Sequence, residues 1–151
     1  MHPELCKCLV IAQLQEALRA EGLFSDRVQM EEAGYPDLYI RFLNKHGQVR
    51  LIHFECTNYD FQAIAIEPIH PLNREALAPG AWMLRNGGAF PGHGMKEGAP
   101  FLCLQGTRDY YTHESHKPEI TGERWEKWRP EFKIRDLIGV IKQKFATGEW
   151  E

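Results

Sequence analysis

Between residues 27 and 69 the apolar side chains recur at the two-residue spacing of half-buried strands, while on both sides of that block they recur at helical spacing. A chain patterned this way folds as a helix, a run of consecutive short strands and a further helix, and consecutive short strands pair antiparallel. In the first segment, Pro3 to Glu21, Leu5, Leu9, Ala12, Leu14, Ala17 and Leu18 fall near one stripe, which predicts an amphipathic helix. Gly22 then supplies a residue suited to the left-handed conformation that closes helices. Val28 and Met30 mark a short first strand, Leu38 to Leu43 a second, and Val49 to Cys56 a third after the turn residues Asn44 to Gly47. Ala63 to Ile66 reads as a fourth, buried strand that ends before Pro68, because proline has no N–H for a ladder. The last helix, Lys133 to Phe145, carries Ile134, Leu137, Ile138, Ile141 and Phe145 on one face. The expected fold class is α+β, with an N-terminal helix, a four-stranded antiparallel meander, a long loop and a C-terminal helix.

At 151 residues the chain has the length of one domain, residues 1–151, and 43% hydrophobic with 26% charged residues is the balance of a soluble globular protein. No apolar run approaches the roughly 18 residues that span a bilayer, and the first residues lack a basic-then-apolar leader. A cytoplasmic location and no membrane partner are expected. The cysteines at 6, 8, 56 and 103 lack the density of a secreted disulfide scaffold, so free thiols are expected. The net charge of -3 gives no overall attraction to nucleic acid. Residues 117–144 hold eight Lys or Arg against five Asp or Glu, which reads as a solvated helix face rather than a nucleic-acid site.

Residues 70–100 contain four of the nine prolines and six glycines, predicting a long irregular connection. Long loops within compact domains usually serve a site. This one leads to Phe101-Leu-Cys103-Leu104, followed by Gln105-Gly-Thr-Arg108, which brings backbone flexibility and a cation near sulfur. A nearby cation favours the thiolate, so Cys103 is a candidate nucleophile; it also reads as a small core residue between two leucines. Cys6 and Cys8, two apart on a helix, cannot face the same way, and Cys56 alternates with Phe54 as a core residue. His113 and His116 have a spacing that presents two imidazoles to one zinc ion, with Cys103 as a third ligand. They also read as solvent-exposed loop histidines or as catalytic groups, and neither a metal nor a cofactor is assigned. Trp125 and Trp128 read as core or hinge anchors.

The order of these elements resembles the ubiquitin-conjugating enzymes. Phe54 through Tyr59 to Ala63-Ile-Ala-Ile66-Glu-Pro68 is similar to that family's third strand, Tyr-containing turn and fourth strand. Phe101-Leu-Cys103-Leu104 resembles the segment around its catalytic cysteine, and Trp128-Arg-Pro130 followed by Ile134, Leu137, Ile138 and Ile141 resembles its Trp-x-Pro and succeeding helix. Each motif is short, and their order over most of the chain is the stronger signal. The family's His-Pro-Asn is absent just before the cysteine. His70-Pro-Leu-Asn73 is similar but one residue longer and far upstream, and the segment from Cys103 to Trp128 is longer than in the eukaryotic enzymes. Those departures look more like the divergent bacterial members encoded beside cyclic-nucleotide antiphage (CBASS) or ubiquitin-like modification systems.

The resemblance implies a transferase that carries a partner's carboxy terminus as a thioester on Cys103 and passes it to an amine or thiol. The donating partner would be a ubiquitin-like protein or a cyclic-nucleotide synthase, with an activating enzyme upstream. Oxyanion donors and a proton acceptor are then needed, and Asn73, Thr107, Arg108, His113 and His116 are the candidates. Two other readings remain open: an inactive binding module of the same fold, and a zinc-binding domain using Cys103, His113 and His116.

Overall fold

A computed structural model describes residues 2–77, 84–85, 95–96, 99–100, 104–112, 124–146 and 149–150. Helix α1 (Pro3–Arg19) starts with proline in its first turn, where a missing N–H costs nothing, and His2 Nδ1 accepts from the Glu4 N–H at its mouth. Four strands follow, β1 (Val28–Gly34), β2 (Asp37–Leu43), β3 (Val49–Glu55) and β4 (Ala65–Ile69), forming one antiparallel sheet in the order β1-β2-β3-β4. The two-residue strands β5 (Leu84–Arg85), β6 (Met95–Lys96) and β7 (Ala99–Pro100) lie in the stretch expected to be irregular, and β6 pairs with β7. Then come the short helices α2 (Arg108–Thr112) and α3 (Trp125–Trp128), helix α4 (Ile134–Ala146) and β8 (Glu149–Trp150), which pairs with β5. Among the described residues no helix is long and apolar enough to cross a membrane.

The α+β layout with its N-terminal helix and four-strand sheet agrees with the periodicity. Register explains the core: Leu38 faces Phe54, Ile40 faces Ile52, and Phe54 faces Ile66, so the apolar positions of three strands meet on one side. Helices α1 and α4 cover that side, with Phe145 edge-on to Phe42 at 5.9 Å. The other side is more polar: Tyr39 stacks on His53 at 4.9 Å, the Arg74 guanidinium lies 3.9 Å above the Tyr39 ring, and Arg74 also pairs with Glu32.

Three expectations are corrected. In α1 the buried face is Cys6, Val10, Gln13 and Ala17; Ala12 is exposed, and Leu5 and Leu18 are 64% and 52% exposed. The helix is rotated because Gln13 must face inward: its Oε1 accepts from the Tyr59 hydroxyl (2.6 Å) and from the Ile134 N–H (3.0 Å), donors that burial would otherwise leave unsatisfied. Strand β1 runs on to Gly34 because a bulge between Met30 and Glu32 resets its alternation, which hides it from a period-two reading. Strand β4 passes through Pro68, opposite Ile52, and an edge strand admits proline where the missing N–H would point away from the ladder. Helix α4 buries all five residues assigned to its inner face. On its outer side Arg135 pairs with Glu16 at 2.7 Å and the Lys142 ammonium donates to the Gly22 carbonyl, so part of the basic segment ties α4 to α1 and the turn after it.

Truncating Ile138 or Ile141 to Ala is expected to cost about 2–5 kcal/mol in urea unfolding, against less than about 0.5 kcal/mol for exposed Leu18→Ala. Trp125, 6% exposed, is expected to lose more stability than Trp128, 40% exposed, when either is changed to Ala.

Candidate functional site

The chain leaving Cys103 enters a tightly held turn. The buried Leu104 offers its carbonyl to both the N–H (3.1 Å) and the hydroxyl (2.6 Å) of Thr107, which is fully enclosed. Gly106, with φ at +95°, lies close against Phe132; a Cβ there would sit 2.3 Å from Phe132 Cε1. Its N–H donates to the Tyr111 hydroxyl at 3.2 Å. The residue read as a source of flexibility is thus pinned, because only glycine combines that conformation with so close an approach.

Arg108 locks this turn onto the sheet. Its N–H donates to the Ile64 carbonyl (2.8 Å), beside a parallel bridge between Ile64 and Thr107. Its guanidinium then spans the β3–β4 connection: Nε donates to the Ala63 carbonyl (3.2 Å), Nη1 to Glu55 Oε2 (2.9 Å) and Nη2 to the Thr57 carbonyl (3.1 Å). The rigid fork of arginine suits such divided bonding, which a lysine would not reproduce. Partial burial would raise the Glu55 carboxyl, but hydrogen bonds from Thr57 and Arg108 and the arginine's charge outweigh it and hold Glu55 below the usual carboxylate range.

An aromatic group backs the turn. Trp125 donates its indole N–H to the Asp60 carbonyl (2.6 Å) and lies 5.7 Å from Tyr111, 6.3 Å from Tyr59 and 6.3 Å from Phe132, ring centre to ring centre. Between this group and the chain at 61–63 opens a cleft of about 240 Å³, bordered by Phe61, Gln62, Tyr111, Thr112, Arg124 and Glu126. Phe61 is 58% exposed at this cleft.

Thr107 and Arg108 therefore stand together: Thr107 is enclosed, whereas Arg108 borders the cleft and is partly exposed, with its guanidinium donors bonded to the β3–β4 connection. Asn73 lies in the turn after β4, where its Oδ1 accepts from the Glu75 N–H. Cys103, His113 and His116 lie outside the described residues. Of the other thiols, Cys8 is exposed on α1, whereas Cys6 and Cys56 are enclosed. Burial, reinforced by the nearby Glu55 and Asp37 charges, pushes the Cys56 thiol up to about 12, so it keeps its proton at neutral pH. Among the described residues no group of three or more His, Cys, Asp or Glu side chains is placed to hold a metal.

Glu55, Gly106 and Gln13 were missed by sequence reasoning. Glu55 and Arg108 are 53 positions apart and carry no motif, whereas the Gly in Gln105-Gly-Thr107 was visible but its contact with Phe132 was not. No protein-family model matches the chain, and no curated protein matches it either.

Gly106→Ala is expected to destabilise by about 2–4 kcal/mol, combining a positive φ with a steric clash. Gly47→Ala, with φ at +79° and open space around it, is expected to cost only about 1–2 kcal/mol in the same thermal unfolding assay. Glu55 contributes stability that is present above the ordinary glutamate range and lost as pH falls through its lowered folded value. Glu55→Gln should therefore flatten the acid limb of a stability-versus-pH curve, measured by urea unfolding between pH 3 and 6.

Proposed function

We propose that this protein is an acyl carrier of the ubiquitin-conjugating kind, with Cys103 as the sulfur that holds a partner's carboxy terminus. The observation that supports the reading best is the anchored turn that begins at Leu104, immediately after Cys103 and fixed on the β3–β4 connection by Thr107 and Arg108. Each alternative thiol is less suited: Cys6 and Cys56 are enclosed, Cys56 stays protonated, and Cys8 stands on an exposed helix surface. The helix, four-strand sheet and C-terminal helix are consistent with the ubiquitin-conjugating fold.

In this reading the Cys103 thiolate attacks the activated carbonyl of the partner's last residue. A carbon–sulfur bond forms and the activating group leaves with the electron pair. An acceptor amine then attacks the same carbonyl; the carbon–nitrogen bond forms, sulfur departs as thiolate, and the amine proton passes to a base. His113 and His116 are the groups proposed for proton transfer and for steadying the oxyanion. Thr107 and Arg108 are positioning residues in this scheme, since their donors are engaged within the fold. Asn73, in the turn after β4, is the further candidate donor to the oxyanion. The proposed cargo is a ubiquitin-like protein or a cyclic-nucleotide synthase, delivered by an activating enzyme in the bacterial cytoplasm during antiphage defence. A second reading, a binding module without chemistry, draws on the exposed Phe61 beside the cleft.

Incubation with the cognate activating system, or with preactivated cargo, is expected to give an adduct on wild-type protein that neutral hydroxylamine cleaves. Cys103→Ala should abolish it, while Cys8→Ala and Cys56→Ala should retain it. The same adduct on Cys103→Ala would remove the catalytic assignment, and no adduct on the wild type would favour the binding module. Elemental analysis of the purified protein is expected to show no stoichiometric zinc. About one equivalent, lost together in His113→Ala and His116→Ala, would establish the zinc-binding reading instead.

A further inference from the structure

The proposed chemistry leaves Glu55 unused, yet its carboxylate is placed where two separate parts of the molecule meet. Glu55 ends β3; Oε1 accepts from the Thr57 N–H at 2.9 Å, closing the first bend after the strand, and Oε2 accepts from Arg108 Nη1 at 2.9 Å. The remaining guanidinium nitrogens reach the Thr57 and Ala63 carbonyls, which lie near the two ends of the connection from β3 to β4. One ion pair therefore sets both the shape of that connection and the seat of the turn that starts one residue after Cys103. Both partners are 27% exposed, so water screens the pair only in part, and its geometry is fixed by three further hydrogen bonds that an isolated surface pair lacks. Gly106 holds the same turn by its close packing on Phe132 and its N–H bond to the Tyr111 hydroxyl.

We propose that Glu55 and Arg108 form a positioning pair that sets the reactivity of Cys103 by fixing the turn that continues from it. This rests on Cys103 being the reactive thiol. The pair acts through backbone placement, not by lending a bare positive charge to sulfur, because the carboxylate neutralises the guanidinium. Glu55→Ala removes both acceptor oxygens of the clamp, whereas Glu55→Gln keeps one of them and sets an amide –NH2, which cannot accept, against the other donor, so that it preserves only one of the two bonds.

The four cysteines provide their own controls. Site-resolved alkylation by iodoacetamide, read by mass spectrometry, follows Cys103 together with exposed Cys8, a reporter of reagent and conditions, and enclosed Cys6 and Cys56, reporters of global opening. In Glu55→Ala and Arg108→Ala the Cys103 rate is expected to change by at least about threefold, with Cys8 unchanged and Cys6 and Cys56 still protected; Glu55→Gln, which keeps one of the two acceptor oxygens, should fall between wild type and Glu55→Ala. In the acyl-transfer assay Glu55→Ala is expected to lower the turnover rate by about tenfold or more, at an unchanged half-saturating cargo concentration. An unchanged Cys103 rate in both alanine variants overturns the proposal, as does simultaneous exposure of Cys6 and Cys56, which would mark the pair as merely structural. The alkylation arm needs no cargo, so absence of an adduct on wild-type protein counts against the acyl-carrier reading alone, and the variants still decide the role of the pair.

Discussion

The side-chain oxygen of Gln13 joins three parts of the chain through a single atom. It accepts from the Tyr59 hydroxyl in the β3–β4 connection and from the first N–H of α4, while Gln13 itself belongs to α1. A buried glutamine is costly unless it is bonded, and so are the two donors that it satisfies. Burial and the adjacent Asp60 push the Tyr59 hydroxyl up in pKa, which keeps the phenol protonated as a donor. The three elements therefore settle together, and the rotation of α1, the entry of α4 and the bend that carries Tyr59 are one solution rather than three.

The candidate site inherits its placement from that arrangement. Tyr59 leads to Asp60, whose carbonyl receives the Trp125 indole, and Trp125 in turn backs Tyr111 and Phe132 on either side of the turn at Gly106. The chain after Cys103 is seated by aromatic packing beneath and by the Arg108 fork at the sheet edge.

Some of this was legible in the sequence and some could not be. Helix α4 could be read because its five inner residues are all aliphatic or aromatic and follow one spacing. Helix α1 could be read as a helix but not in its rotation, because the residue that sets that rotation is a polar glutamine and two conspicuous leucines face outward. The second and third strands are visible as alternation over their whole length, whereas the full extent of β1 is hidden by its bulge and that of β4 by a proline that only its edge position makes acceptable. Within the candidate site, Arg108 attracts notice as a cation near a cysteine, but its partners Glu55, Thr57 and Ala63 are brought to it by topology, and no local pattern signals them.

The two borders of the sheet carry a further consequence. Strand β1 is broken by a bulge and presents Glu31 and Glu32, which are engaged by Arg41 and Arg74. At the opposite border Pro68 supplies no donor, and bridges from Thr107 and Ala76 to Ile64 and Ile69 occupy the flanks of β4. Neither border offers the long, regular row of donors and acceptors on which a foreign strand could be templated. Growth of the four-stranded sheet by stacking copies edge to edge is thereby obstructed at both margins.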